Sequence, residues 1–453
     1  MKVSNLKKLV LILWGTILLL FAVLGATVFA SRGSASLFQQ GKDNLQISPS
    51  LAVSPPTITL TPGPAVIYLP SATARAATLM PVTVTPTFGV LIPGLNYYMT
   101  LPSDVDPLTG LKVANPDILN RRPVAVKISA FPRGMVRPVE RGLSRADVVY
   151  EYFIGDDHLT RFIAVFYSQD AEHAGPVRSG RYFDEYVMRM YSSYLVFGHA
   201  DKRVEDYLHN SDLGPFLFEE NEFFFPPLWD SGSKDAETRL FVNTDGVGEK
   251  LGGNDRQDLR ATLFGPFLYP MTMPLINRIY THYSIYSYNY WEYDPSMHIY
   301  KRFSDAADAT DFTVGEQYAP HIDNLSGQQV TSSNIIELVV PHIFHNEFDR
   351  WDELIDISLK GSGDAYIFRD GRMLKAKWIR DLVDQPIRFE DENGQPVPLE
   401  QGVTFYEVID PESSSQQIAD TMNFYFSIPP RTVTLTPTPF DFAPTLTPRK
   451  SKK

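Results

Sequence analysis

The stretch HAGPVRSGR, residues 173–181, sets His173, Arg178 and Arg181 around a Gly-Pro turn and runs straight into a segment of helical periodicity. On this reading the turn lies between a strand and a helix. The first turn of a helix offers unpaired N–H groups and the positive end of its dipole, which suit a carboxylate or a phosphate. Arg178 and Arg181, with Ser179 between them, add charge-assisted donors worth about 1.5–3 kcal/mol net per bond. The spacing allows an anion site. It equally allows a structural ion-pair hub, because Arg181 and Arg189 each stand four residues from Glu185 and can pair with it on a helix.

Glu151 alternates with Val149 and Phe153, and Arg161 shares parity with Ile163 and Val165, so both charges are expected on apolar strand faces. A carboxylate there must be paired, protonated or turned to a cleft. One reading is a cross-strand Glu151–Arg161 salt bridge. The other makes Glu151 a general base, the only catalytic candidate, beside a ligand held by Arg161, Arg178, Ser179 and Arg181. His199, after Gly198 at a strand end, is a further candidate for ligand contact. His342 and His345 fall on opposite faces of a strand end, so no metal site is expected, and no cofactor fingerprint is present. Ser231-Gly232-Ser233-Lys234 matches the S-x-x-K text of serine acyl enzymes without its S-D-N and K-T-G companions. A standard catalytic apparatus is missing, and the balance leans away from an enzyme.

The elements that must position these residues read as an α+β chain. RRPVAVKISA (121–130), ADVVYEYFI (146–154) and LTRFIAVFYS (159–168) are β-rich runs, the last two joined by a GDDH turn. Tyr182, Phe183, Tyr186, Val187, Met190, Tyr191 and Tyr194 form one helical stripe, followed by a strand at 194–200 and a short helix near 201–209. Residues 215–270 give no clear order. From 280 to 412 the text is nearly all β, with an Asp370-Gly371 hairpin turn that calls for positive φ. Tyr286, Tyr288 and Tyr290 make an aromatic row that either fills a core or stacks sugar rings.

These parts fall between less regular ends. Residues 1–8 carry three lysines, and the uncharged run 9–30 is long enough to cross a bilayer as a helix. The basic flank keeps 1–8 in the cytoplasm and sends the rest outward. Val28-Phe29-Ala30 also resembles a cleavage site, but the run is longer than a cleaved signal needs, which favours a single uncleaved anchor. Residues 31–100 read as a Pro/Thr-rich spacer, 101–270 as a sheet-containing domain with helices, 280–412 as a smaller β domain, and 413–453 as a Thr/Pro-rich tail. The absence of cysteine excludes disulfides, thiolate chemistry and a lipid-bearing cysteine, and a net charge of −12 excludes nucleic acid as a natural partner.

DPLTGL (106–111), RRPVAVKI (121–128), GLSRADVVYE (142–151), TRFIAVF (160–166) and GPVRSGR (175–181) resemble the N-terminal part of the YerB-like lipoprotein family, domain of unknown function 3048. WEYDP (291–295), GSGDAYIFRDGRM (361–373) and the Trp378 strand resemble its C-terminal part. The resemblance implies an α+β fold, an extracytoplasmic location and no established reaction. This chain departs from the pattern in two places. Gly155 to His158 replaces a Glu-Gly-Gly turn with one more residue, and Asn243 in LFVNT stands for a Pro-His-Asn segment. The expectation is a membrane-anchored cell-envelope protein that binds an anionic envelope polymer or a partner protein, with a hydrolase or transferase of wall material as the alternative.

Overall fold

Runs of β-branched and aromatic residues become strands where the pattern predicts them, and their alternate residues divide between two cores. The computed structural model describes residues 90–92, 95–155, 159–253, 255–267, 273–306, 315–345 and 354–428. The chain divides into units 1–82 and 83–453, and all described residues lie in the second. The expected anchor at 9–30 and the stub 1–8 fall outside them. Among the described residues no helix is long and apolar enough to cross a membrane.

The first half supplies β1 (Val124–Ser129), β2 (Val148–Phe153), β3 (Thr160–Phe166), helix α1 (Asp184–Tyr191), β4 (Tyr194–Phe197), helix α2 (Lys202–Asn210) and β5 (Leu217–Glu219). The second half supplies β6 (Arg278–His282), β7 (Tyr288–Asp294), β8 (Ile299–Asp305), β9 (Tyr318–Pro320), β10 (Thr331–Ser332) and β11 (Asn334–Val339). After these come β12 (Gly361–Arg369), β13 (Arg372–Arg380), β14 (Arg388–Glu390), β15 (Thr404–Ile409), β16 (Ser414–Ile418) and β17 (Thr421–Tyr425). The fold is sheet-rich with short helices. At the β12–β13 turn Asp370 and Gly371 take φ of 54° and 68°, as the hairpin expectation requires.

Strands from both halves share a ten-stranded sheet of order β14-β13-β12-β11-β15-β2-β3-β1-β4-β5. β15 runs parallel to both its neighbours, β11 and β2. A second sheet, β9-β8-β7-β6-β17-β16 with β10 on β8, covers part of one face. Two stretches assigned by composition to the ends belong to the fold. Leu95–Thr100 pairs with Val90–Ile92 and Ala261–Thr262, and β16 and β17 come from the expected tail.

Alternation assigns each strand residue a side. Tyr150, Tyr152, Ile163, Val165, Ile336 and Tyr406 pack with Phe183, Tyr186 and Val187 in and beside α1. Val149, Phe162, Ala164, Ile335 and Phe405 pack instead with Ile279, Trp291, Tyr300, Met422 and Phe424 of the second sheet. The same parity sends three carboxylates to the second core, because Glu337, Glu407 and Glu151 lie in register on β11, β15 and β2.

The Arg302 guanidinium of β8, fully buried, meets two of them, while Glu337 accepts from Thr281 Oγ1. Arg302 pairs with Glu151 and, at 2.8 Å, with Glu407, and its Nε donates to His321 Nδ1 at 3.1 Å. Thr160 Oγ1 donates to Glu151 at 2.6 Å, and Trp291 Nε1 to Glu407 at 3.0 Å. The network continues through His321 to Glu140, and Arg133 joins Glu140 at 3.0 Å and Asp305 at 2.8 Å. Five buried carboxyls, Glu140, Glu151, Asp305, Glu337 and Glu407, thus share two guanidiniums and one imidazole.

Full ionisation would leave negative charge uncompensated in a low-dielectric layer, so protons are retained. Burial, and then the Glu151 charge, pushes Glu407 up to about 7; burial and Glu407 hold Glu337 well above the usual carboxyl range. Burial also raises Asp305 to about 6.

Two outcomes follow. Arg302→Met leaves Glu151 and Glu407 without their shared cation and should destabilise the fold by about 3–5 kcal/mol, read by denaturant titration. Groups raised in the folded state take up protons on folding above pH 4.5, so they favour the fold below that pH and lose the contribution as pH rises through about 7. Glu337→Gln removes one such group and should shrink the fall in Tm between pH 5 and pH 8, measured by calorimetry; an unchanged fall would show that Glu337 is ionised throughout.

Candidate anion-binding site

The opposite face of the same strands carries the other charges. Arg161 on β3 stands opposite Tyr152 of β2 and Ser129 of β1, on the side of Ile163 and α1. Lys127 of β1 shares that side and is fully buried. Its ammonium donates to the Tyr152 hydroxyl and to Asp184 at 3.2 Å, and Tyr152 donates in turn to Asp184.

HAGPVRSGR lies along the edge of β1 as an extended clamp. Ser129 N–H donates to Pro176 O at 2.9 Å and Arg178 N–H to Lys127 O at 3.0 Å, while Val177 N–H donates to Leu240 O at 2.7 Å on the other side. The start of the segment is held by Asn243, whose Oδ1 accepts from His173 N–H at 2.8 Å. His173 itself stacks on Trp229, with ring centres 4.1 Å apart. Gly175 has φ of 146°, and a Cβ there would meet Val177 N at 2.8 Å, so glycine alone fits the bend.

The arginines then separate into paired and unpaired. Arg178 binds Glu237 and the Ala236 carbonyl, the latter at 3.1 Å. Arg161 is 8% exposed, yet among the described residues its guanidinium makes one long hydrogen bond, 3.4 Å to Ser179 O, and reaches no carboxylate. Among the described residues the Arg181 side chain reaches only its neighbour's carbonyl, Gly180 O at 2.9 Å, through Nη1. The Glu185 partner expected for Arg181 is held instead by Arg189, at 2.6 Å, and by Tyr207. The reason is local: α1 begins at Asp184, so Arg189 lies on the helix and Arg181 precedes it. The Asp184 carboxylate turns back to accept Arg181 N–H at 2.8 Å.

Four cations, Lys127, Arg161, Arg178 and Arg181, therefore meet with Asp184 and Glu237 as their carboxylates. Burial first, and then the Arg181 and Arg178 charges, pulls Arg161 down to about 9. Burial likewise draws Lys127 down to about 7, opposed by Asp184 and reinforced by Arg161 and Arg181. Burial is the first cause of both displacements; Lys127 keeps Asp184 as its ion pair, whereas an anion against Arg161, Arg181 and the Ser179 hydroxyl would supply the counterion that the two arginines lack among the described residues.

Two expected members lie elsewhere. Glu151 faces the second sheet, opposite Phe162 in register, so it neither bridges to Arg161 nor shares a face with it. The His199 backbone accepts Gly180 N–H at 2.8 Å, but its ring lies beside Glu219 and Glu220. Sequence reading missed Lys127 and Asp184. A lysine inside the apolar run VAVKIS carries the signal, since a charge at that parity must find a partner indoors.

A second surface lies on the outer face of the smaller sheet. Phe303, Tyr290 and Tyr280 are in register on β8, β7 and β6 and stack at 4.5 Å and 4.8 Å. His282 and Tyr425 add a stacked pair at 4.6 Å. Of the expected aromatic row, Tyr290 thus faces outward half-exposed, whereas Tyr288 is buried.

Residues 108–257 match the family model described as "Protein of unknown function (DUF3048) N-terminal domain", and 279–406 match its "C-terminal domain" counterpart. "Putative lipoprotein YerB" of Bacillus subtilis (strain 168) is 28% identical over 309 residues, 65% of this chain and 81% of that protein. The crystal structure of the YerB protein from Bacillus subtilis is similar in fold, with a TM-score of 0.55 and 24% identity over 67% of this chain and 96% of that one. From β1 to β15, the matched regions are the ones that build the ten-stranded sheet, and this chain belongs to the DUF3048 family.

Proposed function

We propose that this protein is held at the membrane by residues 9–30 with its bulk outside the cytoplasm, and that its arginine-bearing sheet face binds an anionic group of a cell-envelope polymer. The lipoprotein name of its Bacillus relative supports a membrane-attached, exported location. The observation that carries the binding reading is Arg161, a guanidinium more than nine-tenths buried with one long hydrogen bond and no carboxylate partner among the described residues. A fold that needed this charge only for stability would pair it.

The Phe303–Tyr290–Tyr280 rings stack face to face on one another, so they offer outward a ladder of half-exposed edges, an apolar surface beside which a polymer or a partner protein can lie. Glu151, the expected general base, is committed to Arg302 on the other side of the sheet, so the arginine face offers binding without that acid–base partner.

Two measurements check this. Co-sedimentation of the detergent-solubilised full chain with isolated cell-wall sacculi should show saturable retention that weakens with salt and falls at least tenfold in Arg161→Met/Arg181→Met. Equal retention of the variant would overturn the arginine site; failure of the intact protein to sediment would turn the search to protein partners. In the absence of ligand, Arg161→Met should keep or raise Tm, because it removes a buried charge the fold does not compensate. A clear loss of Tm would make Arg161 a structural residue.

A further inference from the structure

The ends of β4 and β5 and one face of α2 converge on a second chemistry. β4 and β5 are parallel neighbours, with Phe197 and Glu219 in register. His199 follows the first strand and Glu219 closes the second. Glu205 and His209 stand four apart on α2 and therefore share a helix face. The donor atoms of His199, Glu205 and Glu219 all lie within 4.8 Å of one another.

The geometry points to a divalent transition-metal site of the zinc type formed by His199, Glu205 and Glu219, with His209 as a fourth donor. Zinc takes imidazole nitrogen and carboxylate oxygen at about 2.0–2.2 Å, which places tetrahedral donors about 3.4 Å apart. The observed spread of up to 4.8 Å would have to contract to that on binding.

The individual side chains are prepared for it. The His199 ring is 67% exposed and makes no hydrogen bond to a described residue, its Nδ1 standing 3.9 Å from Glu219 Oε1 and its Nε2 3.5 Å from Glu220 Oε2. His209 Nε2 already touches Glu219 Oε2 at 2.8 Å. Glu205 spends one oxygen on the Ala200 N–H at 3.2 Å, which fixes its carboxylate and leaves the other oxygen open.

The surroundings also favour a cation. Glu220 adds a third carboxylate and is tied to Arg239, an orienting contact of the kind that surrounds metal ligands. Mixed imidazole and carboxylate donors select zinc-like ions over magnesium or calcium, which prefer all-oxygen sets. The site is distinct from the arginine face in chemistry. It is joined to it through backbone, since Gly198 N–H donates to Arg178 O at 3.0 Å and Gly180 N–H to His199 O at 2.8 Å.

The test is calorimetric titration of the chelator-stripped full chain with ZnCl2, repeated with His199→Asn and Glu219→Gln, and absorption spectroscopy with CoCl2. The expected result is one site of micromolar Kd or tighter, a rise in Tm with zinc, and visible cobalt bands of a four-coordinate site. Each variant should bind at least tenfold more weakly while keeping the metal-free Tm of the parent. Absence of saturable binding below 1 mM zinc, about the reach of a weak site, would overturn the assignment. So would affinity unchanged in both variants, because the ion would then sit on other histidines.

Discussion

One guanidinium buried between two sheets constrains everything around it. Arg302 arrives on β8 of the smaller sheet and is held by Glu151 from the first half of the chain and Glu407 from the second. Removing water from these groups costs several kcal/mol per ion, so the arrangement is stable only while each charge has its partner and each lone pair a donor. Trp291, Thr160 and Tyr283 meet that requirement by pointing their polar tips at the two carboxylates. Register between β2, β15 and β11 is thereby fixed, because a shift by one residue would turn all three glutamates to the other face.

The two faces of the large sheet treat charge in opposite ways. Toward the smaller sheet, acids outnumber bases and the excess is relieved by protons. Toward α1, Lys127, Arg161, Arg178 and Arg181 outnumber Asp184 and Glu237; burial draws Lys127 down to about 7, but the arginines keep their protons. What the arginines can do is take a counterion. Charge of one sign is thus absorbed internally, and an anion at the proposed site would answer charge of the other sign.

Local order was legible and pairing was not. The strands of the first half, α1 and the Asp370-Gly371 turn could be read because periodicity and positive φ are properties of a few adjacent residues. The inward aim of Glu151 and Arg161 followed from parity. Their partners did not: Glu151 finds Arg302 151 positions away, and the hairpin that makes Arg161 its apparent neighbour sets it opposite Phe162 instead. The tail was misread because β16, SSQQI, is exposed along its length, so it lacks the apolar alternation that marks a half-buried strand. His199 was noticed for its place at a strand end, but Glu219 comes beside it only through the parallel pairing of β4 and β5.

β15 lies near the end of the described chain, yet it occupies the middle of the large sheet, inserted between β11 and β2. Until it arrives, both those strands present open edges, and Arg302 lacks one of its two acids. A chain delivered from its N-terminus must therefore carry an unclosed sheet until nearly all of it has emerged. The open edges are those to which foreign strands add. Cleavage within β15, close to the end of the described chain, would therefore open the centre of the large sheet rather than trim its border.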